Sequence, residues 1–111
     1  MDCSIKSENG YDLLSVSGEV DLQYSPQLRE KILASLKAGN PLLIDLAGVS
    51  YIDSSGIGEL VSAFTTVRNQ GGDLKLLNLT KRIQDLLAIT KLLTVFETYE
   101  DESEAVKSFG N

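Results

Sequence analysis

The sequence predicts an α/β fold with a largely parallel sheet and an N-terminal hairpin, on three observations. Short apolar or β-branched runs alternate with segments of helical period, giving the order β-β-α-β-α-β-α-β-α. Asn9-Gly10 stands between two extended runs, CSIKSE and YDLLSVS, where a two-residue turn needs positive φ. The run PLLIDLAGV is nearly continuous in apolar residues, as in a strand covered on both faces.

Taken in order, the hairpin puts Ile5 in phase with a second strand carrying Leu14 and Val16. Gly18 ends that strand, and Glu19-Val20-Asp21 leads into a loop. Ser25-Pro26 opens a helix, with Ser25 as N-cap and Pro26 where a missing N–H costs nothing. Leu28, Ile32, Leu33 and Leu36 form its apolar stripe, and Gly39 its C-cap. After the strand PLLIDLAGV, Ile57, Leu60, Val61, Phe64 and Val67 recur at helical spacing. NQGGD stops this helix and LKLLNL follows as a strand. Thr80 caps a third helix whose Ile83, Leu86 and Leu87 point inward. LTVFETY reads as the last strand. Asp101 and Glu104 form a capping pair for a terminal helix through Ala105, Val106 and Phe109. At 111 residues the chain is long enough for one core, so residues 1–111 read as a single domain with its core at about 4–109.

Composition narrows the function. The formal net charge is −6, and acids are spread evenly along the chain, which argues against nucleic acid or an anionic membrane surface as the main partner. No apolar run approaches the ~18 residues of a spanning helix, and the start, MDCSIKSENG, has no leader-like apolar region. A lone Cys3 forms no internal disulfide, which fits a reducing, cytoplasmic compartment. With no His, a Ser-His-Asp triad and any His-based zinc site are excluded.

The segment YIDSSGIG, residues 51–58, concentrates the remaining signal. Asp53, Ser54 and Ser55 can cap the helix that follows. Capping leaves Gly56 and Gly58 unexplained, because each costs ~1 kcal/mol relative to Ala inside a helix. Small residues there imply that something approaches the helix closely, and Ser54, Gly58 and Ser62 fall four apart on one polar stripe. A dinucleotide fingerprint is disfavoured because Val61 stands where a third small residue belongs. A P-loop lacks its spacing and its Lys. A receiver-type phosphoacceptor at Asp53 lacks the acidic pair that would hold Mg²⁺. What is left is a serine modified by another enzyme. A phosphate adds about −1.5 to −2 charges beside Asp53. At an effective dielectric near 20 it would repel a docked carboxylate by several kcal/mol. Those forces make a switch without naming its partner. A small-ligand or enzymatic use of the loop is the competing class. Lys81 and Arg82 read as an exposed helix face that could meet an acidic partner.

LLIDLAGVSYIDSSGIGELVSAF, with SGEVD before it and NQGGDLKLLNL and LLAITKLLTVF after it, resembles a STAS domain. More narrowly it resembles the bacterial anti-sigma-factor antagonists, over roughly residues 4–109. The resemblance implies a four- to five-stranded mixed sheet with helices mainly on one side, and a regulator rather than an enzyme, with no catalytic residue, metal or cofactor of its own. Ser54 would be the phosphorylation site. An anti-sigma factor serine kinase of the GHKL type would modify it, ATP being bound by that kinase, and a PP2C-type phosphatase would restore it. The unmodified form would bind the kinase and release the sigma factor. Asp21 would lie beside the serine, and Asp53, Ser54, Ser55, Gly56, Gly58, Glu59 and Ser62 would belong to the docking face. The alternative is a partner-switch protein of the same family acting on a non-sigma target, in secretion, polysaccharide output or lipid transport.

Overall fold

The computed structural model describes residues 1–109 apart from Asn9 and Ala38. Five strands and four helices alternate in chain order: β1 (Asp2–Glu8), β2 (Tyr11–Val20), α1 (Ser25–Lys37), β3 (Leu42–Ile52), α2 (Ser54–Asn69), β4 (Leu74–Leu77), α3 (Lys81–Ile89), β5 (Thr98–Tyr99) and α4 (Glu102–Ser108). They build a mixed sheet in the order β1-β2-β3-β4-β5, with β1 antiparallel to β2 and every later pair parallel.

Because β2 to β5 add one after another in the same direction, right-handed crossovers deliver α1, α2 and α3 to one face. There Leu28 and Ile32 of α1, Leu60 and Val67 of α2, and Ile83 and Leu87 of α3 close over Leu14, Ile44 and Leu76 of the sheet. After β5 the chain has no further strand to join. Its last helix turns to the opposite face, where Ala105 and Phe109 meet Tyr11, Leu43 and Leu77. The ends of α4 are pinned by polar contacts. Tyr11 Oη donates to Glu102 at 2.6 Å, and Lys75 Nζ donates to Ser108 Oγ at 2.7 Å. The Glu102 carboxylate, accepting that hydrogen bond, pushes the Tyr11 phenol up to about 12. Lys75, only 3% exposed, also meets Glu97 at 2.7 Å and Asp73 at 3.8 Å. Burial works against its charge, yet those carboxylates hold its pKa above the usual lysine value.

The hairpin register pairs Ile5 with Leu14 and Cys3 with Val16, as the phase of the apolar residues predicts. Gly10 takes φ +85°, which a tight turn requires; Asn9 lies outside the described residues, as do Gly110 and Asn111. Gly39 ends α1 with φ +77°.

Several expectations need correction. Gly18 does not end β2. It sits inside the strand at φ +84°, next to a register irregularity, and the strand runs on to Val20. Ser25 does not cap α1. Its hydroxyl donates to the Leu22 carbonyl, and the entry turn is organised by Asp21. Leu33 of the α1 stripe is 43% exposed, facing a cleft between α1 and α2. β3 is buried on both faces only over Leu42–Ile44, and its outer half alternates with exposed positions. The last strand shrinks to Thr98–Tyr99, because Leu92–Phe96 turn back to seat Phe96 against Phe64, ring centroids 5.2 Å apart. Asp101 caps α4 through Ser103, with no return bond from Glu104 among the described residues.

Candidate functional site

The site forms where β2 and β3 end together. Val20 pairs with Ile52 in the last rung, and the Asp53 N–H donates to the Val20 carbonyl at 3.3 Å. Asp21 and Asp53 therefore leave neighbouring strands side by side, at the carboxyl edge of the sheet where loops carry function.

Each acid then folds its own loop. The Asp21 side chain accepts from the N–H groups of Gln23 and Tyr24 at 3.1 and 3.3 Å, and its carbonyl accepts from Ser25 at 2.8 Å. The Asp53 carboxylate caps α2, accepting from Ser55 N at 3.0 Å, Gly56 N at 3.2 Å and Ser55 Oγ at 2.5 Å. The Ser55 hydroxyl, with backbone N–H groups of Gly56, Ser55 and Leu22, outweighs partial burial and holds the Asp53 carboxyl below its ordinary value. The Asp53 N–H bond to the Val20 carbonyl sets the starts of the two loops side by side in one rim. Leu22 itself is 75% exposed there.

The two serines are consequently unlike. Ser55 is partly buried and its hydroxyl is taken by Asp53. Ser54, at the first helical position, is exposed, and among the described residues its hydroxyl has no hydrogen-bond partner.

The two glycines are also unlike. Gly56 is buried, and a Cβ there would stand 2.7 Å from Ile52 Cγ1 and 2.8 Å from both Val20 Cγ1 and the Val20 carbonyl oxygen. The close approach anticipated at this position is made by the chain's own strands, so Gly56 leaves the docking face and becomes part of the support beneath Ser54. Gly58 is exposed with nothing within 4 Å of a Cβ position, which leaves the helix surface bare. Ser62 is exposed one turn further along the same stripe.

Glu59 borders that stripe on the α1 side. Its side chain is 11% exposed and holds Arg29 of α1 in a two-pronged ion pair, Nε to Oε2 at 2.8 Å and Nη2 to Oε1 at 2.7 Å. The carboxylate raises the guanidinium pKa further. The pair closes one end of the cleft of about 340 Å³ between α1 and α2, lined also by Leu33, Ser62 and Thr66. Glu59 is first of all a clasp between two helices.

Arg29 escaped sequence reasoning, and Arg82, read there as part of an exposed helix face, has contacts that reading did not foresee. Arg29 gives no local signal, although a carboxylate at position 59 among inward-facing Ile57, Leu60 and Ala63 demands a cation from elsewhere. Arg82 of α3 donates from Nε to the Ile52 carbonyl at 3.0 Å, and its guanidinium lies over the Tyr51 ring, 4.5 Å from the centroid.

The comparisons with known proteins agree with this architecture. The STAS domain profile matches residues 4–105. The anti-sigma-B factor antagonist of Bacillus subtilis is 42% identical over 84 residues, covering 76% of this chain and 77% of that protein. An anti-sigma factor antagonist from Mycobacterium paratuberculosis superposes with a TM-score of 0.88 at 23% identity, covering 99% of this chain and 94% of that one. The Bacillus cell fate determinant SpoIIAA in its phosphorylated form has a TM-score of 0.76 at 20% identity, covering 96% and 98%. The two solved structures match this chain in fold, and the profile reaches all five strands. The chain belongs to the STAS domain family.

Proposed function

We propose that the protein is an anti-sigma-factor antagonist that works by partner switching, with Ser54 as its phosphorylation site. Unmodified, it binds an anti-sigma factor serine kinase of the GHKL type through the Ser54–Gly58–Ser62 stripe and the adjoining rim, and so frees a sigma factor. Phosphorylation by that kinase, which carries the ATP, ends binding, and a PP2C-type phosphatase restores it. The name of the 42%-identical relative supports the partner class.

The observation that carries the reading is the contrast between the serines. Ser55 is spent on the cap, whereas Ser54 stands exposed and unbonded on a helix start already capped by Asp53. A kinase can reach it without opening the fold. The added charge of about −1.5 to −2 then changes the surface rather than the core. With Asp53 and Asp21 beside it, the rim becomes strongly anionic, and any partner carboxylate docked there is expelled. No chemistry by this chain is required, so it acts as a binding module and not as an enzyme.

Intact-mass measurement tests this. Incubation with ATP alone should leave the mass unchanged, and ATP with the cognate kinase should add one phosphoryl group, about 80 Da, that Ser54→Ala abolishes. Ser54→Asp should bind the kinase far more weakly than Ser54→Ala. Equal binding of the two variants would sink the switch. Saturable binding of a small ligand to the isolated domain, without a mass gain, would favour a ligand-binding role instead.

A further inference from the structure

We propose that Arg82 is a preset counter-charge for the phosphate carried by Ser54, which makes the first turn of α3 part of the switch. The inference rests on Ser54 being the modified serine.

β3 runs seven residues beyond Asp45, its last residue paired with β4. Past that point the edge of β3 on the β4 side has no strand beside it, and the Ile52 carbonyl would lack a partner. Arg82 Nε supplies one at 3.0 Å. That bond uses one of the five N–H donors of a guanidinium. Tyr51 covers one face of the group, and the planar cation is held by backbone and ring together.

Its charge is left over. Among the described residues no carboxylate lies within 4 Å of Arg82, whereas its neighbour Lys81 is paired with Asp85 at 3.7 Å. It is the charge left unmatched nearest the carbonyl end of β3, where the chain also places Asp53. The Ile52 carbonyl oxygen is separated from the Ser54 Cα by little more than one residue, within roughly 6 Å by covalent geometry. A phosphate would extend the Ser54 side chain toward that neighbourhood, and arginine presents the fork that phosphate oxygens accept. Asp53 and Asp21 would repel the phosphate, and Arg82 offsets that repulsion. The modified protein can therefore stay folded and carry the phosphate in one orientation.

The alternative is that Arg82 only closes the strand edge. Ser54 can be replaced by genetically encoded phosphoserine in the full chain, with no kinase needed, and its phosphate titrated by ³¹P NMR. The groups facing it are Asp53 from the end of β3, Asp21 from the β2–α1 loop and Arg82 from α3. Arg82→Gln retains an N–H donor for Ile52 but drops the charge. It should raise the second phosphate pKa, ordinarily about 6, by about half a unit or more. Arg82→Lys should restore most of the shift, and Lys81→Ala should leave it unchanged. If Arg82→Gln titrates like the parent, or Lys81→Ala shifts the phosphate as much, the counter-charge is wrong. The functional reading fails separately, by absence of kinase-dependent modification of Ser54.

Discussion

Gly56 and Gly58 are two residues apart in the same helical turn, and alanine at each should move stability in opposite directions. At Gly56 a methyl group would lie 2.7–2.8 Å from Ile52 Cγ1, Val20 Cγ1 and the Val20 carbonyl oxygen. The isoleucine and valine tips could rotate, but the carbonyl is backbone in the final rung of the sheet and already accepts from Asp53 N. Relief must come from lifting the start of α2 off the sheet. Overpacking costs about 1–3 kcal/mol, and three contacts under 3.0 Å, one of them to backbone, put this site in the upper part of that range, about 2–3 kcal/mol. Alanine's better helix propensity returns about 1 kcal/mol of it, and the net loss should be roughly 1–2 kcal/mol. At Gly58 no atom stands within 4 Å of the new methyl, so only the propensity gain of about 0.5–1 kcal/mol remains. Urea denaturation of the two variants should place them on either side of the parent, about 2 kcal/mol apart. Thermal midpoints should follow, at roughly 4 °C for each kcal/mol in a domain of this size. Equal midpoints for the two variants, or a Gly56→Ala protein as stable as the parent, would refute the packing argument. Kinase binding should be hurt more by Gly58→Ala than its raised stability would suggest, because its methyl stands on the bare stripe.

Further outcomes follow from the same contacts. Asp53→Ala should cost about 0.5–2 kcal/mol as a lost cap, read by denaturant titration. Because the Asp53 carboxyl is depressed below 3.8, its stabilising share is present above that value and lost as pH falls through the folded pKa; acid unfolding of Asp53→Asn should lack that component. Tyr11 has the opposite sign. Its pKa is raised to about 12, so its contribution is complete below the ordinary phenol value of about 10 and fades between there and about 12. Tyr11→Phe should flatten the alkaline loss of stability over that window, followed by circular dichroism. Lys75→Met should stay within about 1 kcal/mol of the parent, because Glu97 and Asp73 are 61% and 42% exposed and can rehydrate. Lys75→Ala, which also opens a cavity under α4, should cost about 2 kcal/mol or more.

Much of this architecture is legible in the residues. Local periodicity and caps are short-range, and so Thr80, the hairpin phase and the helical spacing of Ile57, Leu60 and Val67 all appear where the pattern puts them. What failed depends on tertiary partners. LTVFETY has strand composition, but Phe96 is drawn into the core against Phe64, and only two residues reach β4. The glycines of GIG look equivalent in sequence; only the position of Val20 behind Gly56 separates them. Ser54 and Ser55 are chemically identical neighbours, and the geometry of one carboxylate decides which hydroxyl is left open. Arg29 and Arg82 lie 30 residues from the groups they hold, beyond the reach of any local pattern.

The outer end of β3 has β2 on one side and a single arginine on the other. Its inward side chains, Val49 and Ile52, belong to the core, while its outward face and its open edge do not. Substitutions at the exposed Lys81, Leu22 and Gln23 can reshape what surrounds Ser54 while the buried rungs below stay as they are. On the proposed switching role, proteins of this kind sharing one cell would each have to answer to their own kinase and ignore the others. This overhang is where that insulation can be written, one surface residue at a time, without renegotiating the fold.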